Sequence, residues 1–153
     1  MQLSPDFSAF FAVCRRHDVR LVVVGAYALA LHGHPRMTKD LDVLVEPSPG
    51  NAAALMAALE EFGFGGIGLT ADDFAAEGVV VQLGYPPNRI DLLTSIDGVP
   101  FADAFARRQV MTVDGTEIPC IAREDLLANK RATGRLQDLA DVERLERAAE
   151  PDQ

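Results

Sequence analysis

Short runs of apolar residues, separated by polar and turn-forming residues, divide the chain into alternating predicted helices and strands. The first helix is predicted to begin at Ser4-Pro5, a capping serine followed by proline at the first helical position, and to run to about His17. Asp114-Gly115, between two strand-like runs, is the strongest hairpin signal in the chain. The other predicted elements are strands over 19–24, 40–45, 79–83, 89–93, 109–113 and 116–120 and helices over 26–31, 51–62, 123–133 and 136–149, with a shorter helix opening at 70–73.

The order of these elements indicates an α/β (α+β) fold. Helices separate the early strands and hairpins join the later ones, which favours a mixed β-sheet flanked by helices. The length of 153 residues predicts a single domain over residues 1–150. Residues 151–153 are expected to form a disordered tail.

Composition and charge narrow the range of functions. With 48% apolar residues the chain can form an ordinary core, and no apolar run approaches the length of a membrane span. Cys14 and Cys120 are expected in the core and imply no disulfide framework; with no signal pattern at the N-terminus, a cytoplasmic location is expected. The net charge of −9 argues against duplex DNA as a partner. A local basic surface requires five cations to share a face, namely Arg107, Arg108, Lys130, Arg131 and Arg135.

Two aspartates interrupt the apolar strand predicted over 40–45. Residues i and i+2 of a strand face the same way, so Asp40 and Asp42 share one face while Leu41 and Val43 point to the other, toward the core. Adjacent carboxylates repel, so one pKa rises unless a cation lies between them. Because Mg²⁺ is bound by carboxylates together with substrate phosphates, the pair predicts a Mg²⁺ or Mn²⁺ site that handles a phosphate ester.

A third acid, Asp91, lies between apolar residues in the strand predicted over 89–93. If this strand lies beside the first, three carboxylates converge, which is enough to hold two ions on the attacking and leaving oxygens of an in-line displacement. The alternative places Asp91 at a loop margin with Arg89 as its salt-bridge partner.

Other candidate residues lie close to these acids along the chain. Gly25 lies between a strand and a helix, where free backbone N–H groups attract phosphate, although a plain turn is the alternative. Arg36 and Thr38 lie just before the acids, within reach of a triphosphate, or else are solvated loop residues. His32 and His34 have a chelating spacing, but no further His or Cys is suitably spaced for zinc, so His32 is expected to pack or to cap the short helix.

Taken together, these segments resemble the nucleotidyltransferase superfamily, whose fold is shared with polymerase-beta-like enzymes. The superfamily pattern is an apolar residue, Gly, then Gly or Ser, and after a gap Asp-x-Asp or Asp-x-Glu, with a third acid on a later strand. Residues 25–42 resemble a minimal bacterial branch near the abortive-infection (AbiEii-type) toxins of type IV toxin–antitoxin systems. Residues 125–142 resemble that branch's last motif, Leu-x-x-x-Lys-x-x-x-x-Arg-x-x-Asp-x-x-Asp.

The resemblance implies a compact nucleotidyltransferase fold that transfers a nucleotidyl group from an NTP to the hydroxyl of a protein, an RNA or a small molecule. A toxin of this kind would have a cognate antitoxin as its partner. The catalytic metal ligands implied are Asp40, Asp42 and Asp91, and the nucleotide-binding residues are Gly25, Ala26, Arg36, Thr38 and Lys130. Ala26 departs from the pattern, since it offers no hydroxyl to the phosphates. A nucleotide-binding or partner-binding module of the same fold is therefore the alternative.

Overall fold

The computed structural model describes residues 3–34, 40–85 and 87–149. Predictions that involve Arg36, Thr38 or the tail at 151–153 lie outside these ranges. The strands are β1 (Leu21–Val24), β2 (Asp40–Val45), β3 (Val80–Leu83), β4 (Arg89–Leu93), β5 (Gln109–Val113) and β6 (Thr116–Cys120). The helices are α1 (Pro5–Arg16), α2 (Gly25–Leu31), α3 (Pro49–Leu59), α4 (Phe101–Ala106), α5 (Arg123–Thr133) and α6 (Leu136–Ala149).

The six strands form one mixed sheet in the order β3-β4-β2-β1-β6-β5. The β2–β4 and β1–β6 pairs are parallel, and the other neighbours are antiparallel. The predicted mixed sheet flanked by helices is therefore confirmed. Within the described ranges, no helix is both long and apolar enough to cross a membrane.

The centre of the sheet is covered on both faces. All four residues of β1 are buried, and successive side chains of a strand point to opposite faces. In β2 the alternation separates apolar from acidic side chains. Leu41 and Val43 are fully buried, whereas Asp40 and Asp42 on the opposite face are only partly buried. This confirms that the two aspartates share a face.

Local signals explain most of the element boundaries. Ser4 Oγ accepts a hydrogen bond from the Phe7 amide at 3.2 Å, so α1 begins where the Ser-Pro pair predicts. The hairpin between β5 and β6 turns at Asp114 and Gly115, whose φ angles of 50° and 78° are those of a type I′ turn.

Several boundaries differ from prediction, and β1 begins at Leu21, two residues later than expected. Helix α3 begins at Pro49, two residues early, because Ser48 caps it, and its end continues as a π-helical turn over Glu60–Phe64. The predicted short helix is a 3₁₀ turn over Ala71–Phe74. Helix α4 was not predicted, because six residues are too few to show a helical apolar period.

Candidate active site

The register between β2 and β4 brings the predicted acids together. Asp40 pairs with Arg89 and Asp42 pairs with Asp91 in the parallel ladder. Side chains in register on neighbouring strands face the same side, so the three carboxylates and one guanidinium lie on one face of the sheet. On the other side of β2, Val24 of β1 lies opposite Asp42, which brings the first residue of α2 next to the acids.

That first residue, Gly25, cannot be replaced by a larger residue without a clash. Its φ of +69° lies in the left-handed region that favours glycine. A Cβ at this position would lie 2.3 Å from Asp42 Oδ2, so the carboxylate occupies the space that a side chain would need. Gly25 and Ala26 are both partly buried at the start of α2. The strand-to-helix turn and the acidic strand therefore form one compact unit.

Arg89 joins two of the three acids. Its Nη2 lies 2.6 Å from Asp40 Oδ2 and 3.3 Å from Asp91 Oδ2, and its Nε lies 3.0 Å from Asp91 Oδ1. Desolvation acts to lower the pKa of Arg89, but the hydrogen bond and charge of Asp91 and then those of Asp40 raise it. Asp91 is thus both in the middle of a strand and salt-bridged to Arg89, which combines the two alternatives that the sequence left open.

The pKa of Asp42 reflects the electrostatic repulsion within the cluster. Burial, followed by the charges of Asp91 and Asp40, raises the pKa of Asp42 from 3.8 to about 6, and Arg89 offsets this only in part. The effect of the Arg89 guanidinium on the pKa of Asp42 is thus smaller than the combined effects of burial and the two neighbouring carboxylates. The expectation that one pKa rises among adjacent acids therefore holds even with a cation present.

The donor set suits a hard divalent cation, although it is not arranged as a ready metal site. Among the described residues, no group of three or more His, Cys, Asp or Glu side chains is gathered around one ion-sized point. Arg89 lies between Asp40 and Asp91 instead. The candidate ligands are nonetheless all carboxylate oxygens, which Mg²⁺ and Mn²⁺ prefer, and Asp91 Oδ1 is buried with only the Arg89 Nε ion pair at 3.0 Å recorded for it among the described residues.

Lys130 lies away from open solvent, between α5 and α6. Its Nζ is 2.9 Å from Asp141 Oδ2 and 3.7 Å from Asp138 Oδ1, and the lysine side chain is 4% exposed. The remaining oxygens of these aspartates accept hydrogen bonds from Gln137 at 3.0 Å and Arg135 at 2.7 Å. Lys130 therefore ties the last two helices together, and its contact with nucleotide stays a prediction.

Arg135 is a residue of the same junction that faces the acids. Its side chain is 77% exposed, and its pKa is raised first by its hydrogen bond to Asp138 and also by the charge of Asp42. The junction of α5 and α6 therefore lies within electrostatic reach of the acidic strand. Its position in the C-terminal motif is the sequence signal that pointed to it.

The other cations do not form an uncompensated basic surface. Arg107 makes a two-pronged contact with buried Asp125 at 2.8–3.2 Å, and Arg131 pairs with Glu146. Arg108 stacks on the ring of Phe105 at 3.7 Å. Most of the five cations considered from the sequence are thus matched by acids of α5 and α6.

The remaining candidates are structural. His32 caps α2, and its Nε2 donates a hydrogen bond to the Ile121 carbonyl oxygen at 2.8 Å, as expected for a packing or capping role. Cys14 and Cys120 are buried in the core as predicted, and burial raises the pKa of each thiol to about 12.

A mixed sheet with acids on two neighbouring strands and a glycine turn against them defines the class as the nucleotidyltransferase fold. The chain belongs to the DUF6036 family, described as a nucleotidyltransferase family of unknown function, whose model matches residues 7–149. No curated protein matches the sequence significantly.

Solved structures share the fold at low sequence identity. A nucleotidyltransferase candidate from Thermotoga maritima, TM1012, aligns with a TM-score of 0.57 at 16% identity, over 91% of this chain and 87% of that one. The enzyme ANT(2″)-Ia, in complex with adenylyl-2″-tobramycin, aligns with a TM-score of 0.55 at 12% identity, over 93% and 86%. An antigenic nucleotidyltransferase-like protein from Paracoccidioides brasiliensis gives 0.53 at 17% identity, over 99% and 81%. At these identities the likeness establishes the fold alone.

Proposed function

We propose that this chain is a Mg²⁺- or Mn²⁺-dependent nucleotidyltransferase that moves a nucleotidyl group from an NTP to an acceptor hydroxyl and releases pyrophosphate. The observation that carries the proposal is the register that sets Asp42 opposite Asp91, with Gly25 so close that no side chain fits between it and Asp42. A carboxylate cluster with excess negative charge, set against a backbone turn, suits a site that holds metal and triphosphate together.

Each residue has a proposed role. Asp40, Asp42 and Asp91 hold the divalent ion, and Asp91 also favours deprotonation of the acceptor hydroxyl. A bound divalent ion would neutralise charge on the triphosphate. Gly25 and Ala26 offer backbone N–H groups to the phosphates, with Arg36 and Thr38 supplying side-chain contacts. Lys130 is proposed to support phosphate binding, and its ion pairs with Asp138 and Asp141 favour an indirect contribution through the α5–α6 junction.

The acceptor defines the finer function. A protein, an RNA or a small molecule remains the proposed acceptor, and a toxin role would add a cognate antitoxin as partner. The net charge of −9 disfavours a large polyanionic acceptor such as RNA. ANT(2″)-Ia, solved with adenylyl-2″-tobramycin, makes a small hydroxylated molecule a reasonable member of any acceptor panel. The cytoplasm, with its NTP and reduced thiols, is the proposed location.

A non-catalytic nucleotide-binding module is the second candidate. Ala26 lacks the hydroxyl of the superfamily pattern, and Arg89 already contacts two of the three acids. Both features favour binding without turnover. The module would bind Mg²⁺–NTP but release no pyrophosphate with any acceptor.

Pyrophosphate release separates these candidates. The wild type, Asp42→Asn and Asp72→Asn would be compared with each of the four NTPs and with pools of protein, RNA and aminoglycoside acceptors. Asp72 is an exposed acid of the 3₁₀ turn and serves as a matched control. Loss of Asp42 should lower the rate by about a thousandfold or more, because transition-state charge stabilisation of this kind contributes several kcal/mol. If the wild type binds NTP but releases no pyrophosphate with any acceptor, the nucleotide-binding module becomes the better interpretation of this protein.

A further inference from the structure

The contacts of Arg89 are unusual because one guanidinium bridges acids from two different strands. Asp40 lies on β2 and Asp91 on β4, and Arg89 contacts both, at 2.6 Å and at 3.0–3.3 Å. The contact with Asp40 has the short length of a charge-assisted hydrogen bond, and the contacts with Asp91 are longer. The guanidinium therefore lies where the carboxylates of the two strands approach each other.

A divalent cation and this guanidinium compete for the same oxygens. Mg²⁺ binds carboxylate oxygen at about 2.0–2.1 Å and demands near-octahedral geometry, which a hydrogen-bonded guanidinium between the same acids obstructs. Two cations on the same acids also repel, and the repulsion is strong in a partly buried site. Simultaneous occupation between Asp40 and Asp91 is therefore disfavoured on both steric and electrostatic grounds.

The surroundings of Arg89 leave it room to move. Its side chain is 26% exposed, in contrast to the 4% of Lys130 in the other buried cluster. Arg89 also lines an open cavity of about 460 Å³ together with Gln82, Gly84 and Tyr85. Tyr85 is 87% exposed and presents a ring that a guanidinium can stack upon. A change of rotamer can thus release the acids without unfolding the strand.

We propose that Arg89 is a displaceable internal counter-ion that occupies the place between Asp40 and Asp91 where a divalent cation binds, so that metal binding requires its guanidinium to leave. This inference rests on the proposed metal role of the three acids. It assigns to Arg89 a positioning role: the residue stabilises the metal-free acids and lowers the affinity of the metal-free site for divalent ions.

Calorimetric titration with Mn²⁺ alone, at pH 8 and without nucleotide or acceptor, tests the competition. Arg89→Met removes the charge and keeps an apolar stem of similar length. It should bind Mn²⁺ at least about tenfold more tightly than the wild type, because the metal no longer displaces a cation. Its metal-free melting temperature should fall, because the acids lose their counter-ion. Arg107→Met is the matched control, since Arg107 also pairs with a buried aspartate but contacts no candidate ligand; its Mn²⁺ affinity should equal that of the wild type.

A folded Arg89→Met that binds Mn²⁺ with equal or lower affinity would show that Arg89 orients the ligands, and would overturn the proposal. Absence of Mn²⁺ binding by both proteins would also overturn it. A wild-type readout avoids any folding defect of the variant: saturating Mg²⁺ should shift the side-chain ¹⁵Nε resonance of Arg89 and leave that of Arg107 in place. An unmoved Arg89 resonance at saturation contradicts the proposal. Since no step of this test measures transfer, a protein that lacks transferase activity can still pass it.

Discussion

Two clusters in this molecule place a basic side chain between aspartates. They differ in the ratio of basic to acidic side chains and in how deeply those side chains are buried. Between α5 and α6, Lys130 and Arg135 face Asp138 and Asp141, with the lysine and both acids no more than 5% exposed. On the sheet, Arg89 contacts Asp40 and Asp91, and Asp42 lies beside Asp91 in the strand register. The side chains of Arg89 and Asp40 are 26% and 30% exposed.

The cluster between α5 and α6, called here the balanced cluster, packs as part of the core, whereas the cluster on the sheet, called the unbalanced cluster, is the proposed metal site. Gln137 and Arg135 complete the hydrogen bonds of the helical cluster. In the sheet cluster, by contrast, burial and the neighbouring carboxylates raise the pKa of Asp42 to about 6. The raised pKa shows that the ionised form of Asp42 is disfavoured here, and the divalent cation proposed above would relieve that repulsion.

The largest effect is expected from breaking the balanced cluster. Lys130→Ala removes the ammonium that lies 2.9 Å from the fully buried Asp141, and removing one partner of a buried pair costs about 3–5 kcal/mol. Urea denaturation at pH 7 measures the loss. Arg131→Ala is the control, since its pair with Glu146 is exposed and should contribute about 1 kcal/mol or less.

The same variant sharpens the role of Lys130. If Lys130→Ala kept the wild-type denaturation midpoint but lost affinity for Mg²⁺–NTP, a direct phosphate contact would be its main role. We expect instead that Lys130→Ala lowers the free energy of unfolding, and that any loss of nucleotide affinity results from displacement of the α5–α6 junction.

Gly25→Ala tests the contact between the turn and the unbalanced cluster. The added Cβ meets Asp42 Oδ2 at 2.3 Å, and the φ of +69° is strained for alanine. Together these should cost on the order of 2–3 kcal/mol and displace the carboxylate, which lowers both Mn²⁺ affinity and transfer. Gly115→Ala has a φ of +78° with no neighbour within 4 Å, so it carries the backbone strain alone. Equal metal affinity in the two variants would show that the close approach to Asp42 has no functional role.

The pH dependence of the free energy of unfolding tests the raised pKa of Asp42 in the unbalanced cluster. The folded-state pKa of Asp42 lies above its usual value, so the native state holds the proton more tightly than the unfolded chain between pH 4 and about 6. Stability is therefore lost as the pH rises through this window and stays lower above it. Asp42→Asn should match the wild type near pH 4 and exceed it by about 3 kcal/mol at pH 8, measured by denaturation in EDTA. A difference that is constant with pH would contradict the raised pKa.

The contrast also shows which features can be predicted from sequence. The alternation Asp40-Leu41-Asp42-Val43 predicts which side chains share a face, because strand geometry is local. The Asp114-Gly115 turn is equally local. The sheet order is not, and it is the parallel pairing of β2 with β4 that sets Arg89 beside Asp40, far away along the chain.

Besides the sheet order, the burial of Lys130 could not be predicted from local sequence patterns. Lys130 belongs to a helix whose first turn is acidic and whose last turn is basic, a pattern typical of a solvated surface. Its burial depends on the packing of α6, which places Asp138 and Asp141 against it. Helix α4 was not predicted for a simpler reason: it has only about one and a half turns, too few to show a helical period of apolar residues.

The smallest effect is expected from Ala26→Ser, which restores the hydroxyl that the superfamily pattern carries beside the acids. Ala26 is partly buried at the second position of α2, and serine adds a single oxygen atom there, so stability should change by less than about 0.5 kcal/mol. A hydroxyl that contacts phosphate equally in the ground state and the transition state lowers KM and leaves kcat unchanged. We therefore expect a KM for NTP lower by several fold, with kcat unchanged, in the pyrophosphate assay. Ala30→Ser, in the same helix but one turn further on, is the matched control and should leave both constants unchanged. An increase in kcat would instead indicate that the hydroxyl contacts charge that develops in the transition state. A higher KM would indicate that the site binds NTP better with alanine than with serine at position 26.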